Sequence, residues 1–319
     1  VAAKDSTTDA SLLACVPVPL QYTQYSTLHF TMVNFMCVLS ALLFMAGNAL
    51  LITYYVREFN RPHFDYETYV ALDPEYIQQE WDFRIEHRPK YLAAGIINAL
   101  AWFFFMFPMI QLSWILSQGG AKWISLHIAI GVLAMAGSFT EWISRFLYIG
   151  TSMATELLAT QFNLDNWITD TSNDQIGWRS LEVTHIVTYG LVSFIDSFEW
   201  IILFVIFTLV HISVKRWRRN IDSTTFGACW NALGLFVALM CLLDFVAEIM
   251  RLEGFRSFGQ IAFWYSSVNR LLLIPLWLIL LGCRLPVASV KLNQQQHAMV
   301  TQQQHRGSMN GSSNGAGSH

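Results

Sequence analysis

Six long apolar runs, separated by polar segments, leave this chain few folds to choose from. They fall at about 28–56, 91–117, 122–149, 181–213, 225–251 and 260–283. A helix needs roughly 20 apolar residues to cross the hydrocarbon core of a bilayer. In lipid every backbone N–H and C=O must find its partner inside its own segment, so such runs become helices. The pattern predicts an all-α polytopic integral membrane protein, six transmembrane helices in one bundle, with the lipid bilayer as its first partner. Composition agrees, since 54% of the 319 residues are hydrophobic and only 13% charged. The charged share of a soluble domain is about 25%.

The borders of the runs carry the expected marks. Trp114 and Trp123 bracket the second connection, and Trp178, Trp217 and Trp230 lie near the ends of the fourth and fifth runs, as interfacial aromatics do. Gly119-Gly120 predicts a tight antiparallel turn. Pro108 and Pro275 fall inside spans, where neighbouring helices can satisfy the freed carbonyls. Residues 151–179 are too polar to span.

Outside the bundle, residues 1–27 form a polar segment without a signal-peptide pattern. The chain starts at Val1, which leaves room for a further N-terminal piece. Residues 74–87 predict an amphipathic surface helix, with Asp73 as N-cap, Pro74 as its first residue and Ile77, Trp81 and Ile85 on one side. It is expected to lie on the bilayer or to cap the bundle. From Lys291 the chain is rich in Gln, Ser, Gly and Asn, a composition that builds no core, so 291–319 is expected to be disordered.

Net charge is −3, so no basic field points to nucleic acid. The VKRWRRN segment holds Lys215, Arg216, Arg218 and Arg219, and the positive-inside rule puts it, with both termini, in the cytoplasm. Arg57, Arg61, Arg84, Arg88 and Lys90 on the opposite side argue the other way. The five cysteines form no close pair and read as small packing residues.

Charge inside the spans is the feature that a plain membrane anchor lacks. Each such residue costs about 2.5–3.5 kcal/mol to insert at a helix centre. The third run carries Glu141 and Arg145, the fourth Glu182, His185, Asp196 and Glu199, the fifth Asp244, Glu248 and Arg251, and the sixth Arg270. They are ordered. His127, Gly131, Ala134, Ser138, Glu141 and Arg145 recur at spacings of three and four and share one helix face. Glu182, His185, Tyr189, Ser193, Asp196 and Trp200 do the same, with Glu199 beside them. Asn34, Cys37, Ala41 and Asn48 align more weakly on the first run. The charges are expected to gather in one half of a bundle of the last four spans. Expected pairs are Glu141 or Asp244 with Arg145, and Asp196 or Glu199 with Arg270.

Two readings compete for these residues. Buried ion pairs can fix helix register. Alternatively Glu141, Arg145, His185, Asp196, Glu199, Asp244, Glu248, Arg251 and Arg270 line a path for a cation, a proton or a small polar solute. Four deep acids face two deep arginines, and a buried carboxylate without a cationic mate needs a proton, water or a cation. The expected function is therefore a transporter or channel-like protein; the alternative is a receptor, scaffold or complex subunit with structural ion pairs, homo-oligomeric or otherwise.

Other chemistries find less footing. No cofactor is predicted. His127 and His211 could ligate a b-type haem, and an electron carrier is the second alternative. Every lysine (Lys4, Lys90, Lys122, Lys215, Lys291) is at a border or beyond, which leaves no Schiff-base site for retinal. No HExxH, GxSxG or GxxxxGK[ST] pattern occurs, so an enzyme is the less favoured class. SFTEWI at 138–143 and SFEWI at 197–201 are alike, but one residue is inserted and the helices are adjacent and antiparallel, so no internal repeat follows.

Overall fold

The computed structural model of the chain describes residues 22–58, 74–118, 124–161, 173–252, 255 and 257–312. Among these the chain is helical and has no strand. The helices are α1 (Tyr22–Glu58), α2 (Pro74–Gln118), α3 (Ile124–Ala159), α4 (Asn173–Asn220), α5 (Ala228–Leu252), α6 (Ser257–Val268) and α7 (Ile274–Ser312). A π-helical turn, Asn269–Leu273, joins α6 to α7 into the sixth span. Six helices are long and apolar enough to cross a membrane, and the protein is a multi-pass integral membrane protein.

Each span packs on the next in chain order, and the sixth packs on both the fifth and the first. The result is a closed ring of six antiparallel helices. One continuous core fills it, built from Phe44, Phe105, Trp200, Phe207, Trp230 and Trp277 among others. The outer surface is apolar too, with Phe139, Ile143, Phe146, Phe194 and Phe198 all more than half exposed. An apolar outside is what a lipid environment asks for.

Without a hydrophobic force between helices in lipid, close approach rests on small residues and interhelical hydrogen bonds. Ser40 Oγ on α1 donates to Ala101 O on α2 at 2.9 Å. Asn48 Nδ2 donates to Ser267 O on α6 at 3.3 Å. Gly282 of α7 packs so tightly on α1 that a Cβ there would lie 3.1 Å from Cys37 Cβ. The α1 stripe of Cys37, Ala41 and Asn48 is buried as its spacing implies.

Four helices, α2, α3, α4 and α7, extend beyond their expected bounds. The segment at 74–87 is the first part of α2 rather than a separate helix on the bilayer, and the helix runs on through Pro89 and Pro108. Trp81 is buried against Trp178 of α4 at a ring distance of 6.4 Å, a contact with the bundle, which was one of the two expected placements; the side chain of Ile77 lies outside the described residues. The polar ends 151–159 and 173–179 continue α3 and α4. The Gln-rich stretch after Lys291, expected to be disordered, continues α7 to Ser312. Its physical reason is local: Gln, Lys, Ala and Met are good helix formers, and elongating a nucleated helix is easier than starting one. Residues 1–21, the Gly119-Gly120 turn and Trp123 lie outside the described residues.

The α4–α5 turn is tied to α7. The carboxylate of Asp222 accepts from Lys291 Nζ and from the Thr225 backbone N–H, both at 2.6 Å, and from the hydroxyls of Thr224 and Thr225. Burial alone would push this carboxyl up, but the bonds from Lys291, Thr225 and Thr224 outweigh it and hold the group below the ordinary carboxylate range.

Two outcomes follow from this packing. Gly47 lies against α2, where a Cβ would meet Asn98 Cγ at 2.8 Å and Asn98 N at 3.2 Å. Asn98 is buried and has nowhere to swing. Gly47→Ala is expected to cost about 1–3 kcal/mol by overpacking, read as a lower midpoint of thermal unfolding in detergent; an unchanged midpoint would mean that α1 and α2 do not meet closely there. A carboxyl held low in the folded state contributes fully above its unfolded value, near 4, and loses that contribution as pH falls. The stability gap between the native protein and Asp222→Asn should be widest at neutral pH and close below about pH 4. A gap that ignores pH in denaturant titrations would show that the turn does not hold this carboxylate.

Candidate functional site

Helical periodicity delivers the charged residues to one place. On α3 the stripe faces inward: His127, Ala134, Ser138 and Glu141 are buried, and Arg145 follows one turn on. On α4 Ser193 and Glu199 are buried and Asp196 is partly so. Between these two helices Arg145 acts as a bridge. Its Nε donates to Glu141 Oε1 at 2.6 Å within α3, and its Nη2 lies 3.3 Å from Asp196 Oδ2 on α4. Ser144 Oγ donates to the other oxygen of Asp196 at 2.7 Å.

The sixth span supplies the second arginine through a backbone irregularity. Pro275 has no N–H to offer the carbonyl of Leu271, and its ring crowds that carbonyl. Just before it, the Ile274 N–H reaches back five residues to Asn269 O. A π-turn changes the angle between successive side chains, and here both Asn269 and Arg270 are buried. Arg270 Nη2 lies 3.4 Å from Glu199 Oε1, and its guanidinium carbon is 4.9 Å from the centroid of the Trp200 ring. Asn269 Nδ2 donates to Asp244 Oδ2 on α5 at 3.4 Å.

The arrangement leaves its acids only partly satisfied. Ligand-capable oxygens of Glu141, Asp196 and Glu199 all lie within 4.8 Å of one another. Glu141 Oε2 and Asp244 Oδ1 are buried and have no hydrogen-bond partner. Four carboxylates share two guanidiniums. Like charges this close cannot all stay ionised in a low-dielectric interior without a compensating positive charge. The cluster therefore holds more acidic than basic side chains in a buried setting.

Comparison with models of known families finds no match. Curated protein sequences and solved structures give none either. The site is therefore read from its own chemistry.

Six of the nine residues singled out from the sequence meet here: Glu141, Arg145, Asp196, Glu199, Asp244 and Arg270. Of the expected pairs, Glu141–Arg145 and Glu199–Arg270 form. Asp196 goes to Arg145 instead of Arg270, because Arg145 is on the adjacent helix and Arg270 is already against Glu199. Asp244 goes to Asn269 rather than to Arg145. Glu248 and Arg251 pair with each other at 2.7 Å near the end of α5. His185 packs against Trp81 of α2, ring to ring at 5.9 Å, three turns of α4 away from Asp196. Of the two possible haem ligands, His211 Nδ1 lies 3.2 Å from Asn231 O on α5, and buried His127 accepts at its carbonyl from Ser113 on α2.

A second charged group lies at the far end of α3, and its central acid, Glu156, is not among the residues that the sequence singles out. Glu156 is buried and accepts from Arg88 Nε and from Tyr91 Oη, each at 2.6 Å. Nearby, Trp81 Nε1 donates to Glu182 Oε1 at 2.5 Å, and Arg84 lies over the Trp81 ring. The signal was present: from Arg145 the stripe continues through Tyr148, Ser152 and Glu156 at the same spacing.

The bridge sets a stability test. Arg145→Met leaves Glu141 and Asp196 without their shared cation, and breaking one partner of a buried pair costs about 3–5 kcal/mol. Adding Glu141→Gln and Asp196→Asn to that variant should recover part of the loss. Unfolding midpoints of the native, single and triple proteins measure both steps; a single variant as stable as the native protein would show that Arg145 does not bridge these helices.

Proposed function

We propose that this protein is a membrane transporter or channel-like protein that moves a proton, a cation or a small polar solute, with the cluster on α3, α4, α5 and the π-turn as its binding site. The observation that carries this reading is the surplus of acids. Glu141, Asp196 and Glu199 converge to within 4.8 Å, Asp244 stands beside Asn269, and only Arg145 and Arg270 oppose them. Arrival of one or two positive charges neutralises the group, and departure restores the repulsion. A site that alternates between these states binds and releases a cation reversibly. Asp196 is the natural point of entry, since its side chain is 24% exposed while Glu141 and Glu199 are almost fully enclosed.

We propose the same orientation as the charge pattern implies, with the α4–α5 turn in the cytoplasm. Lys215, Arg216, Arg218 and Arg219 lie at that end, and Arg88 at the other end is matched by Glu156.

A second reading has a specific observation behind it. Glu141, Asp196 and Glu199 each already touch an arginine, as members of a purely structural lock would. Two clefts among the described residues, one lined by residues between 150 and 184 and one by residues between 224 and 287, include no member of the cluster.

Flux in liposomes separates the two. The purified protein should dissipate an imposed proton or alkali-cation gradient, and Asp196→Asn should lower that flux at least tenfold in protein that circular dichroism shows to be still folded. The structural reading wins if the native protein carries none of these ions, or if Asp196→Asn changes stability alone.

A further inference from the structure

Among the described residues, the end of the bundle at the α4–α5 turn carries Lys215, Arg216, Arg218, Arg219, Arg284 and Lys291 against a single acid, Asp222. That acid is already engaged by Lys291 and Thr225. The level is a membrane border, because α4 ends at Asn220 and α5 begins at Ala228.

A cleft of about 340 Å³ opens at this border between the turn and α7. Its lining is of two kinds. Arg284 of α7 offers the hydrogen-bond donors of the mouth, and the hydroxyls of Thr224 and Thr225 beside it donate to Asp222. Leu280, Cys283 and Val287 form the apolar side along α7, and Cys283 and Val287 are exposed on the outer face. Arg284 is held in place: Nη1 donates to Thr225 O at 2.8 Å, and the guanidinium carbon is 6.0 Å from the centroid of the Trp230 ring. Its Nε is buried with no hydrogen-bond partner.

A polar, cationic mouth at the border and an apolar wall running inward along a span match a molecule with an anionic head and acyl chains. Juxtamembrane bases attract anionic headgroups, and the attraction adds with each base. A free anion would use the mouth and leave the wall idle. We propose that this cleft binds an anionic phospholipid, with its phosphate at Arg284 beside the turn and its chains along Leu280 and Val287. The site is separate from the carboxylate cluster, and its occupancy does not depend on whether that cluster transports anything.

The test uses the full chain in phosphatidylcholine vesicles, with Cys15 and Cys229 replaced by Ser so that Cys283 is the accessible thiol; Cys37 and Cys241 are buried. Spin-labelled phosphatidylglycerol should associate several-fold more strongly than spin-labelled phosphatidylcholine. Arg284→Gln should reduce that preference by roughly five-fold, the effect expected of one base near an anionic surface. A maleimide on Cys283 fills the cleft without changing charge, and should remove the preference from protein that is already folded. Arg219→Gln, exposed and outside the cleft, should weaken it less and only at low salt. Phosphatidylglycerol should also slow the maleimide reaction, and inorganic phosphate should not. The proposal is overturned if the two lipids associate equally, if the preference survives modification of Cys283, which would make it a diffuse surface effect, or if inorganic phosphate protects the thiol as well as the lipid does.

Discussion

One guanidinium between two carboxylates, Arg145 between Glu141 and Asp196, is what allows α3 and α4 to meet deep in an apolar bundle. Remove it, and two desolvated acids face each other across the helix interface. Its placement on α3 also settles how the bundle closes. Asp196 is drawn to α3, so Glu199, one turn further along α4, is left for the sixth span. Glu199 meets Arg270 there, and through that contact the first half of the ring is coupled to the last.

Arg270 reaches that position because α6 and α7 are not one regular helix. Pro275 withdraws a backbone donor, and the π-turn before it accommodates the change. The irregularity turns two consecutive polar residues inward, Arg270 toward α4 and Asn269 toward α5. A regular helix sets successive side chains about 100° apart, which favours burying one and leaving the other toward lipid. Backbone irregularity at membrane depth is tolerated where it faces protein, and both residues do.

The fold was legible because hydrocarbon thickness is a hard constraint: run lengths gave six spans, and spacings of three and four gave the buried face of α3 and most of α4. The site was legible in its membership and less so in its pairing. Charge arithmetic can say that arginines will find acids. It cannot say that Asp196 prefers Arg145, because that depends on which helices are neighbours. Asn269 went unseen because a polar amide in a span carries no distinguishing pattern until a backbone turn exposes its purpose. Glu156 was lost for another reason. The apolar run ends near residue 149 and the stretch after it is too polar to count as a span, although the stripe that leads to Arg145 simply continues. The tail after Lys291 misled in the same way, since a composition that builds no core can still extend a helix already begun.

The group around Glu156 serves as an internal comparison for the group around Glu141. Both are built on α3 and α4, some 15 residues of helix apart, or about 22 Å. At the first, Glu156 and Glu182 stand near Arg88 and Arg84, two acids to two bases, with Tyr91 and Trp81 supplying neutral donors. A register lock needs no more than that balance, and this chain is able to provide it. At the second, four acids from α3, α4 and α5 face two arginines, one from α3 and one from the π-turn. Had the deeper cluster only to hold helices together, the balanced solution one helix length away shows how the sequence would build it. The imbalance is therefore a property of that position, and it is what the proposed transport role of the deep site rests on.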